Sequence, residues 1–144
     1  MKALITEEMP YFGEEGLSCS ESTLRLLIER GVVNLPLSTV RLMTGLHGNM
    51  KRDANCGAIN GGVAAIGAEL GRLEPGEDMS LFYETVEKFI SEFEARFGSV
   101  KCEGLLAGRP QETVEEQNRC AVYVLAAADI VERLLKEAKA KQAK

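Results

Sequence analysis

The four cysteines are the side chains of this chain that are best suited to chemistry. They are Cys19, Cys56, Cys102 and Cys120. No two of them form a CxxC pair, which excludes a short-range zinc ribbon and a thioredoxin-type motif. If the thiols converge, the fold must bring them together from separate helices, as helix bundles do when they build cofactor sites in their cores.

Three of these cysteines fall at or near predicted helix starts. Cys19 and Cys56 each follow a residue that can cap a helix, and Cys102 comes shortly after Ser99. The partial positive charge of a helix start stabilises a thiolate, which is the form that attacks disulfides and binds metals. Cys120 instead lies about two turns into the last predicted helix, on its apolar face. For each cysteine taken singly, burial as an inert small side chain is the competing interpretation.

The helix predicted after Cys56 contains four interior glycines, at Gly57, Gly61, Gly62 and Gly67. Each costs about 1 kcal/mol relative to alanine, so the fold must offset them. One interpretation is a stripe of small residues that lets another helix approach closely. The other is that bare backbone at Gly57 and Gly61 admits a cofactor beside Cys56. The sequence leaves both interpretations open.

The single histidine, His47, lies in a glycine-bearing loop before Cys56. Its imidazole is a candidate ligand or proton acceptor near the thiols, and a solvent-facing loop residue is the alternative. The sequence contains no recognisable Ser/His/Asp set, no paired-carboxylate site and no dinucleotide or phosphate-loop fingerprint. The functional prediction therefore depends on the cysteines.

The segments around the cysteines are predicted to be helical. Ser18 and Glu21 are spaced as a capping box at the start of the first helix, which Gly31 ends. A short helix follows Pro36, and the glycine-bearing helix ends near residue 71. From Ser80 onward, phenylalanines recur at steps of four and three residues, which indicates an amphipathic helix.

The last third of the chain is also predicted to be helical. At most one helical turn precedes the breaks at Gly108 and Pro110, and the last helix runs from a capping box at Thr113 to about Lys136. No segment alternates with period two. The predicted fold class is therefore all-α, a single compact bundle of five to six helices with the glycine-rich helix in its core.

Length and composition favour one domain. The 144 residues are 45% hydrophobic, so we expect a single domain over residues 1–144, with a lead-in at about 1–16 and a frayed tail at about 137–144. A net charge of -5 without a basic cluster argues against nucleic acid as a partner. Because no apolar run approaches the ~20 residues that span a bilayer and the start is too acidic for a signal peptide, we expect a cytoplasmic protein without membrane insertion.

The segment Cys56-Gly57-Ala58-Ile59-Asn60-Gly61, with one cysteine before it and two after it, resembles the C_GCAxxG_C_C family of putative redox-active proteins. The likeness extends to Cys19-Ser20-Glu21, Gly45–Met50, Phe97-Gly98-Ser99 before Cys102, and Ala126–Ile130 after Cys120. The resemblance implies a small helical protein whose four cysteines act in redox chemistry. A related region of some multihaem cytochromes suggests an iron-sulfur cluster as the occupant. The chain departs from the family at His47, where a glycine is usual.

Three functional hypotheses follow. In the leading one, Cys19, Cys56, Cys102 and Cys120 are ligands of an iron-sulfur cluster or of another thiophilic metal such as zinc. In that hypothesis Gly57 and Gly61 lie beside the cofactor. In the second, the cysteines cycle between dithiol and disulfide without a metal. In the third, the protein is a helical interaction module with structural cysteines. The expected partner is an electron-transfer or thiol protein, and the apolar helix faces also suggest a homo-oligomer.

Overall fold

The computed structural model describes residues 8–12, 16–46, 55–102, 105 and 114–142, with backbone only for 114–119. Within these ranges the chain forms four α-helices and one 3₁₀ helix, with two isolated bridges and no sheet. The elements are α1 (Cys19–Glu29), a 3₁₀ helix (Leu37–Met43), α2 (Gly57–Leu70), α3 (Ser80–Phe97) and α4 (Val114–Gln142). They pack around one hydrophobic core, which confirms the predicted all-α bundle.

Helix α1 begins as the sequence predicts. The Ser18 hydroxyl oxygen accepts a hydrogen bond from the Glu21 N–H, and the Glu21 carboxylate accepts one from the Ser18 N–H. After the helix, Gly31 has φ of 74°, a left-handed conformation that glycine adopts without strain. The capping box fixes Cys19 as the first residue of α1.

Helix α2 packs closely against its neighbours because of its glycines. A Cβ added to Gly57 would lie 2.7 Å from the Ser20 nitrogen, and one added to Gly61 would lie 2.6 Å from the Ser20 carbonyl oxygen. The space beside Gly62 is taken by the ring of Phe89 from α3, 2.5 Å from such a Cβ. The small residues therefore bring the backbone of α1 and a buried aromatic ring into contact with α2, and the dispersion contacts offset the low helix propensity of glycine.

Aromatic side chains join α3 to α4. Phe93 is fully buried, and Phe97 packs edge-on against Tyr123 of α4 with ring centroids 4.9 Å apart. Helix α3 ends at Phe97, and the next residue, Gly98, has φ of 86°. The Tyr123 hydroxyl then donates a hydrogen bond to the Leu105 carbonyl at 3.0 Å, so the segment that follows α3 is attached to α4.

The first described segment differs from the predicted polar lead-in. Met9 and Phe12 are buried in the core. Arg30, which follows α1, forms ion pairs with Glu8 at 2.7 Å and with Asp129 of α4 at 2.9 Å. Buried apolar side chains and ion pairs therefore attach residues 8–12 to the bundle. The sequence did not predict this attachment, because Met9 and Phe12 alone show no helical or strand periodicity.

Helix α4 continues beyond the predicted end near residue 136, as far as Gln142. Ala138 is buried, and Lys139 forms an ion pair with Glu69 of α2. The predicted boundary was too early because the lysine-rich sequence suggested an end of the chain exposed to solvent. In the structure α4 packs against α2 and α3, which provide an acidic partner for a lysine and an apolar contact.

Several predicted features lie outside the described residues. They are His47 with the rest of the glycine loop at 47–50, the breaks at Gly108 and Pro110, and the cap at Thr113. The predicted helical turn after residue 98 is present at least in part, because the Leu105 N–H donates to the Lys101 carbonyl at 3.0 Å. In the ranges the structure describes, no helix is long and apolar enough to cross a membrane.

Candidate functional site

The start of α2 places Cys56 next to the segment that carries Cys102. Cys56 is the N-cap residue of α2, and its N–H donates a hydrogen bond to the Val100 carbonyl at 2.7 Å. Asn55 and Lys101 form an isolated antiparallel bridge beside that hydrogen bond. Because Cys102 follows this bridge directly, the two backbone contacts hold Cys56 and Cys102 near each other.

The start of α1 meets the start of α2 beside the same cysteine. A Cβ added to Gly57 would lie 2.9 Å from the Cβ of Cys19. A side chain at position 57 would therefore push Cys19 away from Cys56. The glycine that follows Cys56 thus brings the first two cysteines together.

The fourth cysteine, Cys120, reaches the same place from α4. The residue is buried, with 5% of its surface exposed, and its thiol raises the pKa of Cys19 more than any other neighbour does. Charges on Cys120, Cys56 and Cys102 all act on Cys19. Four cysteines from four chain segments therefore lie within electrostatic range of one another, and we call this group the four-cysteine cluster.

The surroundings of the cluster favour protonated thiols. The pKa of Cys19 is raised well above its usual value, first by its interaction with the Cys120 thiol, then by burial, then by the charges of the other three cysteines. Burial raises the pKa of Cys56 to about 12, although the N–H groups of Ala58 and Ile59 act in the opposite direction. The Cys56 side chain makes no capping hydrogen bond that would strengthen their effect.

These pKa directions correct one expectation from the sequence. A helix start was expected to favour the thiolate at Cys19 and Cys56. In the structure, removal of these thiols from water and their closeness to other thiols outweigh the helix start. Burial depends on tertiary packing, so the sequence position at a helix start did not reveal it.

The cysteines differ in their access to solvent. Cys19 and Cys102 are partly exposed, whereas Cys56 and Cys120 are buried, and none of the four is in a disulfide. Among the described residues, no group of three or more His, Cys, Asp or Glu side chains is arranged to hold a metal ion. Two residues of the cluster therefore keep some contact with solvent, and the described side chains do not form a ligand cage.

Gly57 and Gly61 have a clear structural role. The space beside each is occupied by backbone atoms of Ser20, with the Cβ atoms of Cys19 and Thr23 also within 3.0 Å of the added Cβ. At these two positions the structure favours the packing interpretation that the sequence had left open. A direct cofactor contact of Gly57 and Gly61 stays a prediction.

Two polar residues to which the sequence analysis assigned no contact attach the chain before α2 to the site. Ser20 follows Cys19 directly and is buried, and its hydroxyl donates a hydrogen bond to the Met43 carbonyl at 2.8 Å. The Asn60 side-chain amide donates to the Leu46 carbonyl at 2.6 Å. An uncharged amide within the otherwise apolar first half of α2 is a signal that a sequence reading can use to find such a contact.

The fold and the cluster together define a class, a small all-α protein with four cysteines gathered at the meeting point of helix starts. The chain belongs to the C_GCAxxG_C_C family, described as putative redox-active protein, which matches residues 17–134. The match confirms the resemblance seen in the sequence. Comparison with curated proteins and comparison with solved structures gave no match.

Proposed function

We propose that the four-cysteine cluster is a redox centre that holds an iron-sulfur cluster, or another thiophilic metal, through Cys19, Cys56, Cys102 and Cys120. The observation that carries this proposal is the closeness of four cysteines from four separate chain segments. Backbone contacts hold Cys19, Cys56 and Cys102 near one another, and the Cys120 thiol acts on Cys19. Cysteines that only pack in a hydrophobic core need not lie near one another. Four-cysteine ligand sets suit both iron-sulfur and zinc, and of these only iron-sulfur transfers electrons, in agreement with the description of the family.

The chemistry of the thiols fits a soft cation. Burial raises the pKa of Cys56 to about 12, because a thiolate without a positive partner is unfavourable in that environment. Metal binding replaces the protons of coordinating thiols and supplies the missing positive charge. In the described residues the side chains are not arranged around a common point. Coordination therefore requires side-chain rotation, which the partly exposed Cys19 and Cys102 can undergo with the least repacking.

The remaining parts of the proposal follow from this centre. Gly57 keeps Cys19 close to Cys56, so it shapes the ligand set without contributing an atom to it. A reducing compartment such as the cytoplasm keeps thiols available for a metal, and an electron-transfer partner protein would approach at the solvent-accessible side of Cys19 and Cys102. Self-association stays a prediction from the apolar helix faces.

Metal analysis of anaerobically purified protein tests the proposal. We expect iron and acid-labile sulfide, or zinc, bound in a fixed ratio to the chain, and loss of most of that metal when any one of the four cysteines is replaced by serine. Ala127→Ser is the matched control, because Ala127 is fully buried, on α4, and two turns beyond Cys120. It adds the same hydroxyl to the core and should leave the metal content unchanged.

Two results would contradict the proposal. One is a metal-free protein whose four cysteines all titrate with a thiol reagent after anaerobic purification. The other is metal content that falls equally in Ala127→Ser and in the cysteine variants, since that would reflect general damage to the fold. A metal-free protein that still cycles between thiol and disulfide would favour the second hypothesis, and cysteine variants that lose only stability would favour an interaction module.

A further inference from the structure

Two hydrogen bonds attach residues 43–46, at the end of the 3₁₀ helix, to the start of α1. The buried Ser20 hydroxyl donates to the Met43 carbonyl at 2.8 Å. The Thr44 hydroxyl donates to one carboxylate oxygen of Glu21 at 3.0 Å, while the other oxygen of Glu21 completes the capping box of α1. Both α1 residues lie within two positions of the first cysteine of the cluster.

The same four residues are attached to the start of α2 through Asn60. The Asn60 side-chain amide donates to the Leu46 carbonyl at 2.6 Å. Asn60 lies one helical turn after Cys56, and its backbone N–H donates to the Cys56 carbonyl at 3.2 Å, so the two residues share one side of α2. Residues 43–46 therefore bridge the two helix starts that carry the first two cysteines, and we call them the 43–46 clamp.

The close packing of α1 on α2 does not by itself fix how the two helix starts are oriented. Gly57 and Gly61 make room for the α1 backbone, but glycine has no side chain that could form a directional contact. Hydrogen bonds weaken steeply when their angle is poor, so they resist the sliding and opening that small residues permit. The glycines thus allow the approach, and the 43–46 clamp supplies directional contacts to both helices.

We propose that Ser20, Thr44 and Asn60 are positioning residues of the four-cysteine cluster, which act through the 43–46 clamp to keep Cys19 and Cys56 together. They contribute no ligand atom to the centre. The inference rests on the proposed function, because it concerns the same centre, and it adds the side chains that hold two of its cysteines in place. Loss of a clamp hydrogen bond favours local opening of the helix starts and exposes the thiols.

Conservative variants remove or keep single hydrogen bonds of the clamp. Asn60→Asp replaces the amide donor by an ionised carboxylate of the same shape, which cannot donate to Leu46, whereas Asn60→Gln keeps an amide. Thr44→Val removes the hydroxyl at the other end of the clamp. Asn60 is partly exposed and Thr44 is exposed, so these substitutions should leave the fold intact. Thr85→Ala is the control for general stability, because Thr85 is buried on α3 and its hydroxyl donates to Leu81 of the same helix.

Alkylation of metal-free, reduced protein with iodoacetamide measures the opening at single cysteines, because Lys or Arg residues place each cysteine on its own tryptic peptide. The buried Cys56 reacts when the helix starts open locally. Its rate should rise by about fivefold in Asn60→Asp, equivalent to about 1 kcal/mol, and by at least about twofold in Thr44→Val, whose hydrogen bond is exposed. The rate should stay at the wild-type value in Asn60→Gln and in Thr85→Ala.

Three results would overturn the proposal. They are a wild-type rate of Cys56 alkylation in Asn60→Asp, an equal rise in Thr85→Ala, and a rise in Asn60→Gln as large as in Asn60→Asp. The second would mean that the opening is global, and the third would mean that the amide donor is unimportant. Circular dichroism checks that each variant is folded, and Thr44→Val decides the question by the same comparison if Asn60→Asp is not.

Metal content is measured separately on the wild-type protein as purified. A metal-free wild type together with the expected alkylation rates would contradict only the metal centre. A metal-loaded wild type together with variants whose metal-free forms show no change in rate would contradict only this inference.

Discussion

Replacing Gly61 by alanine tests how closely α1 and α2 approach each other. The new Cβ would lie 2.6 Å from the Ser20 carbonyl oxygen and 2.9 Å from the Cβ of Thr23. Since the nearer atom belongs to the backbone, no side-chain rotation can relieve the clash, and the two helices must move apart. Overpacking of this kind costs about 1 to 3 kcal/mol. Because alanine has a higher helix propensity than glycine, the substitution also stabilises α2 by about 1 kcal/mol, which offsets part of this cost.

The same helix supplies the control. A Cβ added to Gly67 would lie 3.8 Å from the ring of Phe82, which is an ordinary van der Waals contact. Gly67→Ala therefore gains the propensity term without the clash and should stabilise the protein by about 1 kcal/mol. Because both positions are inside α2, the propensity terms cancel when the variants are compared, and Gly61→Ala should be less stable than Gly67→Ala by about 1 to 3 kcal/mol.

Urea unfolding followed by circular dichroism under reducing conditions measures this difference. The midpoint should fall in Gly61→Ala and rise in Gly67→Ala, with the slope of the unfolding free energy against urea unchanged. Equal stability of the two variants would refute the reasoning. It would mean that α1 and α2 are not in backbone contact, and the closeness of Cys19 and Cys56, which depends on the same helix pair, would lose its physical basis.

Three further predictions concern charge, thiol reactivity and a buried hydroxyl. The hydrogen bond with Arg30 lowers the pKa of Glu8 below its usual 4.5. This pair therefore stabilises the fold above pH 4.5, and the stabilisation is lost as the pH falls through the lowered pKa. The urea midpoints of wild type and Arg30→Gln should differ at neutral pH and approach each other in acid. Because burial raises the pKa of Cys56 to about 12, alkylation of Cys56 in the metal-free folded protein at neutral pH should be at least ~10-fold slower than in urea, and equal rates would contradict the assigned environment. Ser20→Ala leaves the buried Met43 carbonyl without its 2.8 Å hydrogen bond and should cost about 1 to 3 kcal/mol in urea unfolding, whereas a change of only a few tenths would show that this contact is unimportant.

Much of the fold could be predicted because its signals are local. The capping box of Ser18 and Glu21 involves residues three apart, and the repeated phenylalanines of α3 report directly which face is buried. The extent of α4 and the burial of Met9 could not be predicted in the same way. Both depend on partners far away in the chain, such as the Glu69 carboxylate that pairs with Lys139.

The sequence indicated which cysteines could form a site, whereas the protonation state of their thiols was not predictable. The cysteines and Gly57 were recognised from their pattern, and the structure shows why the glycine is needed, since a side chain there would collide with Cys19. The expectation of low-pKa thiolates failed because burial and neighbouring thiols raise the pKa of Cys19 and Cys56. The attachment of the 3₁₀ helix through Ser20 was missed, because a buried serine in a helix does not reveal its acceptor.

The most direct test of the central claim is X-ray absorption at the metal edge of anaerobically purified protein. If the four-cysteine cluster is the ligand set, the bound iron or zinc should show a first shell of four sulfurs at about 2.3 Å. Cys120→Ser should lose most of the bound metal, and any zinc that stays bound should have one sulfur fewer in its first shell. A first shell of nitrogen and oxygen, or protein that holds neither iron nor zinc, would contradict the claim that these cysteines form a metal-binding redox centre.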